Sequence, residues 1–201
     1  AQKIQDVKLA DGAVYIADQA SHNIARYREG ERTRTVLTPP IYGINALAVS
    51  AGTGTIYWAD ARLGINQAEA DGASPTIAIP QAASFNVQGL AVDPESELIY
   101  WASPDGGITR ATPDRSVFEQ VLRVGGDQNI APTDIALDLT NGHIYWMNSD
   151  ARVMRAQLDG SEVEELATGL GAPGPLAVDP ANGALYWVDR GSFSDDPPPQ
   201  M

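Results

Sequence analysis

Tyr57-Trp58-Ala59-Asp60, Tyr100-Trp101-Ala102-Ser103, Tyr145-Trp146-Met147-Asn148 and Tyr186-Trp187-Val188-Asp189 are four copies of one phrase, and Tyr15-Ile16-Ala17-Asp18 is a weaker fifth. All four tryptophans of the 201-residue chain stand at its second position. From tyrosine to tyrosine the steps are 42, 43, 45 and 41 residues, a period that fits the four-stranded blade of a propeller. Alternate side chains of a strand leave on opposite faces, so tyrosine and tryptophan make both faces of each sheet apolar. Such a sheet needs cover on both sides, and radial stacking of small sheets supplies it without helices. Burial removes about 150–250 Å² of each aromatic side chain from water. Tyr15, Tyr57, Trp58, Tyr100, Trp101, Tyr145, Trp146, Tyr186 and Trp187 are therefore read as structural.

The surroundings of the phrase supply the other strands. Before it lie Asp6 to Leu9, Asn45 to Val49, Gly89 to Asp93, Asp134 to Asp138 and Pro175 to Asp179, first strands with small residues at their centres, as converging inner strands require. Turns at Asp11-Gly12, Gly52-Thr53-Gly54, Asn141-Gly142 and Asn182-Gly183 join first strand to second. After it come third strands such as Asn23 to Tyr27 and Val153 to Ala156, then fourth strands at Thr33 to Leu37, Thr76 to Ile79, Val117 to Leu122 and Val163 to Leu166. The repeats run at about 4–38, 44–80, 88–123, 133–167 and 174–190, within a propeller domain of 1–190 followed by a Pro/Asp-rich tail at 191–201. Asp93, Asp138 and Asp179 recur at the end of the first strand, where a carboxylate suits turn N–H groups.

Leu90 to Pro94 and Leu176 to Pro180, the central Tyr-Trp, Arg110-Ala111 and Arg155-Ala156, and Leu158-Asp159-Gly160 together resemble the YWTD repeats (class B repeats) of low-density lipoprotein receptors, nidogen and bacterial relatives. The resemblance implies an all-β propeller of four-stranded antiparallel blades, in a family that closes with six. Four full repeats and a partial fifth are present. A truncated six-blade protein, a five-blade ring with one thin blade, and a ring completed by another chain are the three readings of that shortfall. Threonine never stands third in the phrase, and Ser103 and Asn148 replace aspartate fourth, so the hydrogen bonds made there by the family's Thr-Asp pair are in doubt for blades 3 and 4. Lack of the cysteine-rich modules that flank animal members points to a bacterial relative.

Composition narrows the function classes. Asp and Glu number 26 against 13 Lys and Arg, for a net charge of −13, a field that repels phosphate backbones and anionic lipid and argues against nucleic acid. No apolar run is long enough to span a membrane as a helix. With no cysteine, thiol catalysis and zinc–thiolate sites are excluded. The chain opens at Ala1 without signal peptide or initiator methionine, as a processed secreted or a trimmed protein would. Only His22 and His143 are histidines, the first in a loop and the second expected on a strand surface, too few for a histidine-bound metal. Nucleophile-elbow and phosphate-loop patterns are absent.

Binding is then expected on the face formed by the loops between second and third strands and the crossings between blades. His22, Arg62, Arg152, Arg190 and Phe193 come from the loops, and Tyr42, Asn45, Phe85, Asn86 and Asn129 from the crossings. Arg62, Arg152, Arg190, Tyr42, Phe85, Asn45 and Asn86 are the candidate ligand-binding residues, arginines and aromatics being the types enriched in hot spots. Gap-filling by Tyr42 and Phe85 and turn-capping by the asparagines compete with that reading. The expected function is a non-catalytic, extracellular or periplasmic protein-binding or scaffold propeller, with no catalytic residue and no cofactor. Two alternatives stand: a calcium-dependent propeller hydrolase or lactonase, for which calcium needs six to eight converging oxygens, and a subunit whose partner completes the last blade. Asp189, Asp195 and Asp196 are expected to be solvated tail carboxylates.

Overall fold

A computed structural model describes residues 4–38, 40, 41, 43–81, 86–123, 131–189 and 191. Its strands are all antiparallel and form five sheets. Blade 1 holds β1 (Ile4–Ala10), β2 (Ala13–Asp18), β3 (Asn23–Arg28) and β4 (Thr35–Val36). Blade 2 holds β5 (Ile44–Val49), β6 (Ile56–Asp60), β7 (Gly64–Ala68) and β8 (Thr76–Pro80). Blade 3 holds β9 (Gly89–Asp93), β10 (Leu98–Ser103), β11 (Gly107–Ala111) and β12 (Phe118–Leu122). Blade 4 holds β13 (Pro132–Asp138), β14 (His143–Asn148), β15 (Arg152–Gln157) and β16 (Glu164–Ala167), and the fifth sheet β17 (Pro173–Asp179) and β18 (Ala184–Asp189). Each blade runs from inner to outer strand in chain order, and each inner strand packs against the next: β1 on β5, β5 on β9, β9 on β13, β13 on β17.

The two-faced phrase builds the seams. Trp58 packs into the apolar cluster of blade 1 with Tyr15, Ile24 and Ile41, whereas Tyr57 faces forward into the cluster that holds Trp101 of blade 3. Tyr100 repeats the forward step toward Trp146. Exposure is 4% for Trp58, 2% for Trp101 and 0% for Trp146, but 39% for Trp187. The expectation that every copy of the phrase is buried therefore fails at the last one. Among the described residues Trp187 has no third or fourth strand of its own sheet beside it, and Tyr186 and Val188 have no further sheet in front of them.

The inner strands are also joined by carboxylates. Asp6 Oδ2 accepts from Leu47 N (2.8 Å), and Asp134 Oδ2 accepts from Leu176 N (2.8 Å), each bond reaching from one blade to the next. Gly89 stands at the same register in blade 3, where an added Cβ would lie 2.7 Å from Asp134 Cα. That approach leaves no room for a bridging side chain. Burial pushes the Asp134 carboxyl above its ordinary pKa; Lys8 and the Leu176 N–H oppose the shift, and the Asp6 charge adds to it.

Turn chemistry follows the residue types. Asp93 accepts from Glu95 N and Ser96 N, Asp138 from Asn141 N, and Asp179 from Asn182 N. Blade 1 departs from expectation, since only Thr35–Val36 of the stretch 33–37 pairs as strand. Beyond it, Leu37 N reaches Ile24 O (2.9 Å) and the Thr38 hydroxyl accepts from Ile24 N (3.0 Å), so a side chain takes over part of the ladder. No helix long and apolar enough to cross a membrane occurs among the described residues.

Candidate functional site

The loops between second and third strands share one side of the molecule with the crossings between blades, because the strands alternate in direction. On that side blade 2 carries two cavities that meet at Asp60. The larger is a cleft of about 710 Å³ lined by Pro40 and Ile41 from the blade 1–2 crossing and by Trp58, Asp60, Arg62, Leu63, Asn66, Pro75, Thr76 and Ile77 of blade 2. The smaller, about 190 Å³, lies toward blade 3 and is lined by Asn45, Asp60, Gln81, Asn86 and Val87 among others.

The cleft exists because of what stands at the start of the outer strand. In blade 3 Phe118 closes over Trp101, with ring centroids 5.8 Å apart and planes at 61°. Glu119 pairs with Arg110 as Thr76 pairs with Gln67, so Pro75 occupies the register of Phe118. Proline is smaller than phenylalanine, and beside the two-residue β4 it leaves a cleft over the edge of Trp58, whose ring is otherwise buried in the blade 1 cluster. The result is an apolar floor with polar groups at one end.

At that end Asp60 Oδ1 accepts from Arg62 N (2.6 Å) and Leu63 N (3.0 Å), fixing the carboxylate in an Asx turn. Oδ2 receives no hydrogen bond among the described residues. In blade 1, by contrast, both oxygens of Asp18 are engaged, Oδ1 by Ala20 N and Oδ2 by the Ser21 hydroxyl and the Arg34 guanidinium at 3.8 Å. Asp60 is buried, yet it keeps one acceptor facing the cavities. Arg62 is exposed at the rim and makes no ion pair among the described residues.

Three of the seven candidate residues thus meet at blade 2: Arg62 at the cleft, and Asn45 and Asn86 at the smaller cavity. Asn86 donates to Asp105 (2.5 Å) and accepts from Gln88 (2.9 Å). Arg152 lies in blade 4, held by Asp150 (2.6 Å) and Glu165 (3.3 Å). Tyr42, Phe85 and Arg190, with Asn129, Phe193, Asp195 and Asp196, lie outside the described residues. His22 sits at a positive φ of 54°, and its carbonyl accepts from Ile41 N (2.6 Å).

Several assignments change. His143 is not a surface residue: it is half-buried, its ring meets Tyr145 edge-on at 6.1 Å, and its Nδ1 is buried without a hydrogen-bond partner. Asp189 is not a merely solvated carboxylate, because the N–H groups of Ala172, Gly191 and Gly171 converge on it and hold its pKa below the ordinary value. Asn148 performs the same service in blade 4, where its Oδ1 accepts from Ala131 N (2.6 Å). Sequence reasoning missed Trp58, Asp60, Leu63 and Ile77 as cleft residues. The signal for the cleft was the proline at position 75, legible only once the outer strands were set in register.

Comparison with known proteins agrees with this geometry. A chain in the crystal structure of a nidogen/laminin complex superposes with a TM-score of 0.80 at 19% identity, over 94% of this chain and 73% of that one. The chain is a β-propeller. A structural genomics protein of unknown function from Bacteroides thetaiotaomicron VPI-5482 superposes with a TM-score of 0.70 at 16% identity, over 92% of this propeller and 52% of that chain. No protein-family model matches the propeller, and no curated protein matches it. Among the described residues no three or more histidines, aspartates or glutamates come together as a group that could hold a metal ion.

Proposed function

We propose that this propeller is a non-catalytic binding protein of the extracellular or periplasmic space that takes an extended segment of a protein partner in the cleft of blade 2. The observation that carries the reading is the cleft itself. Trp58, Ile41, Leu63 and Ile77 line an apolar bed, and at one end the Asp60 oxygen and the Arg62 guanidinium, unpaired among the described residues, offer an acceptor and a donor to a partner's main chain or side chains. Few convergent polar groups on an apolar bed is the usual composition of a recognition site. The nidogen/laminin structure shows that a similar fold can take part in a protein complex. Membership in the YWTD group and a bacterial source belong to the same proposal, supported by the repeat phrase and the two superpositions.

The test needs a partner captured from the secreted or periplasmic fraction of the source cells and identified. Its affinity for the protein is then compared with that for Arg62→Glu and Ile77→Asp, using Leu139→Glu on blade 4 as an exposed control. A covered apolar contact is worth about 1–2 kcal/mol, so a loss of roughly 5- to 30-fold is expected for Ile77→Asp, a smaller loss for Arg62→Glu at the rim, and no change for the control. Unchanged affinity in both cleft variants would remove the cleft from the function.

A further inference from the structure

Asp60 differs from the other residues at the fourth position of the phrase. Both oxygens of Asp18 are engaged, the second by the hydroxyl of Ser21, three residues on. Asn148 accepts from Ala131 N and Asp189 from Gly171 N, donors that arrive from the chain entering each blade, while Ser103 carries no charge. The third residue after Asp60 is Leu63, which has no hydroxyl, and no N–H of the described crossing residues reaches the carboxylate. Its Oδ2 is therefore left without a donor although the residue is only 8% exposed. A buried acceptor in that state is destabilising on its own and favours a ligand that donates to it. We propose, building on the cleft reading, that the segment bound there carries a lysine whose ammonium group enters the smaller cavity and meets this oxygen.

The smaller cavity, about 190 Å³, is a set of acceptors. Asn45 is the extra residue of the bulge between Ile44 and Ala46, so its side chain has no cross-strand neighbour and lines the cavity instead. Its amide makes no hydrogen bond among the described residues. Gln81 N and Nε2 donate to Leu63 O (3.1 Å) and Ala61 O (2.8 Å), which pins that amide with Oε1 left over. Asn86 is spent: it donates to Asp105 and accepts from Gln88, and it holds a second carboxylate beside the cavity. Asp60 Oδ2, Gln81 Oε1 and the Asn45 amide oxygen remain, with Ala59, Ala61 and Val87 as apolar wall for a methylene stem.

Those acceptors suit an ammonium, which has three N–H donors and accepts nothing. A guanidinium is served best by both oxygens of one carboxylate, and Asp60 Oδ1 is already taken by Arg62 N and Leu63 N. A net charge of −13 draws cations toward the protein, and Arg62 lines the cleft but not this cavity. Because Asp60 lines both cavities, a segment bedded on Leu63 and Ile77 reaches the smaller one by crossing the turn between β6 and β7.

The probe is Nα-acetyl-lysine methylamide, titrated into the isotope-labelled protein in about 0.15 M salt and followed by amide NMR. Saturable shifts are expected at the Asp60, Ala61 and Val87 N–H groups and at the side-chain amides of Asn45 and Gln81. The Nε-acetylated probe, which has lost the charge, should give none, and the arginine analogue should bind more weakly than lysine. Asp60→Asn keeps the acceptor for Arg62 N and Leu63 N but removes the charge, and should weaken lysine binding about tenfold or more, the loss of one charge-assisted bond. Should Asp60→Asn fail to fold, Gln81→Met removes a second acceptor and should weaken the probe severalfold. Shifts that do not saturate, equal binding of the acetylated probe or of the arginine analogue, or an unchanged affinity in the variant would overturn the proposal. Each of those results leaves the cleft standing, because the probe has no apolar side chain to lay on Ile77. Conversely, cleft variants that leave the partner's affinity unchanged would not alter the titration.

Discussion

Trp146 and Trp187 occupy the same place in the same phrase, one strand from the axis, each facing the blade before it, yet the first is fully buried and the second is not. The difference lies outside the phrase. Trp146 is shielded by the outer strands of its own blade, with Val163 packed against its cluster, while among the described residues β17 is the only strand paired with β18, which carries Trp187. An apolar residue in a repeat is thus a capacity for burial, and the neighbouring hairpin turns it into stability. The substitution Trp146→Ala should cost about 3–5 kcal/mol, as for other buried aromatics. Trp187→Ala should cost less than half of that. Urea unfolding of the two variants checks the difference, and equal losses would mean that Trp187 is covered in solution.

The second contrast sets the seams bridged by carboxylates against the seam at Gly89. Asp134→Ala would leave Leu176 N–H without its partner at a packed interface, a loss of about 1–3 kcal/mol. Asp134→Asn keeps an acceptor and removes the charge. Because burial raises the folded pKa of Asp134 above the unfolded 3.8, the folded state binds the proton more tightly. Its contribution is complete at low pH and is lost as pH rises through the folded value. The asparagine variant should therefore gain on the parent between pH 3 and pH 7, measured by denaturation midpoints. A gap that narrows over that range would show that Lys8 outweighs burial.

Much of this was legible in the sequence because it depends on short-range pattern. The two-faced phrase fixes strand direction and blade spacing, and Asp-Gly and Asn-Gly locate the turns. Asp93, Asp138 and Asp179 cap turns two or three residues away, so local reading suffices for them. The cleft was not legible, since it depends on a register between strands that no local pattern states. Pro75 reads as punctuation until it is aligned with Phe118. Asp189 was misjudged for the same reason: its donors, Ala172 and Gly171, lie a whole hairpin upstream.

The smallest effect expected is at the surface, and it has the opposite sign to that of Asp134. Asp114 turns the hairpin between β11 and β12, where the Thr112 hydroxyl (2.6 Å) and Ser116 N–H (2.9 Å) donate to it and hold its pKa down at about 2. A carboxyl depressed in the folded state contributes stability above its unfolded pKa of 3.8, and that contribution is lost as pH falls toward about 2. Asp114→Asn should flatten this acid limb while leaving neutral stability nearly unchanged, because the group is fully exposed and solvent screens it. Amide exchange of residues 112–117 between pH 2 and pH 5 would detect the change where global unfolding would miss it. If the loop instead loosens equally at neutral pH, the Asp114 side chain is holding β12 against β11, and the cover over Trp101 rests on that turn as well as on Phe118.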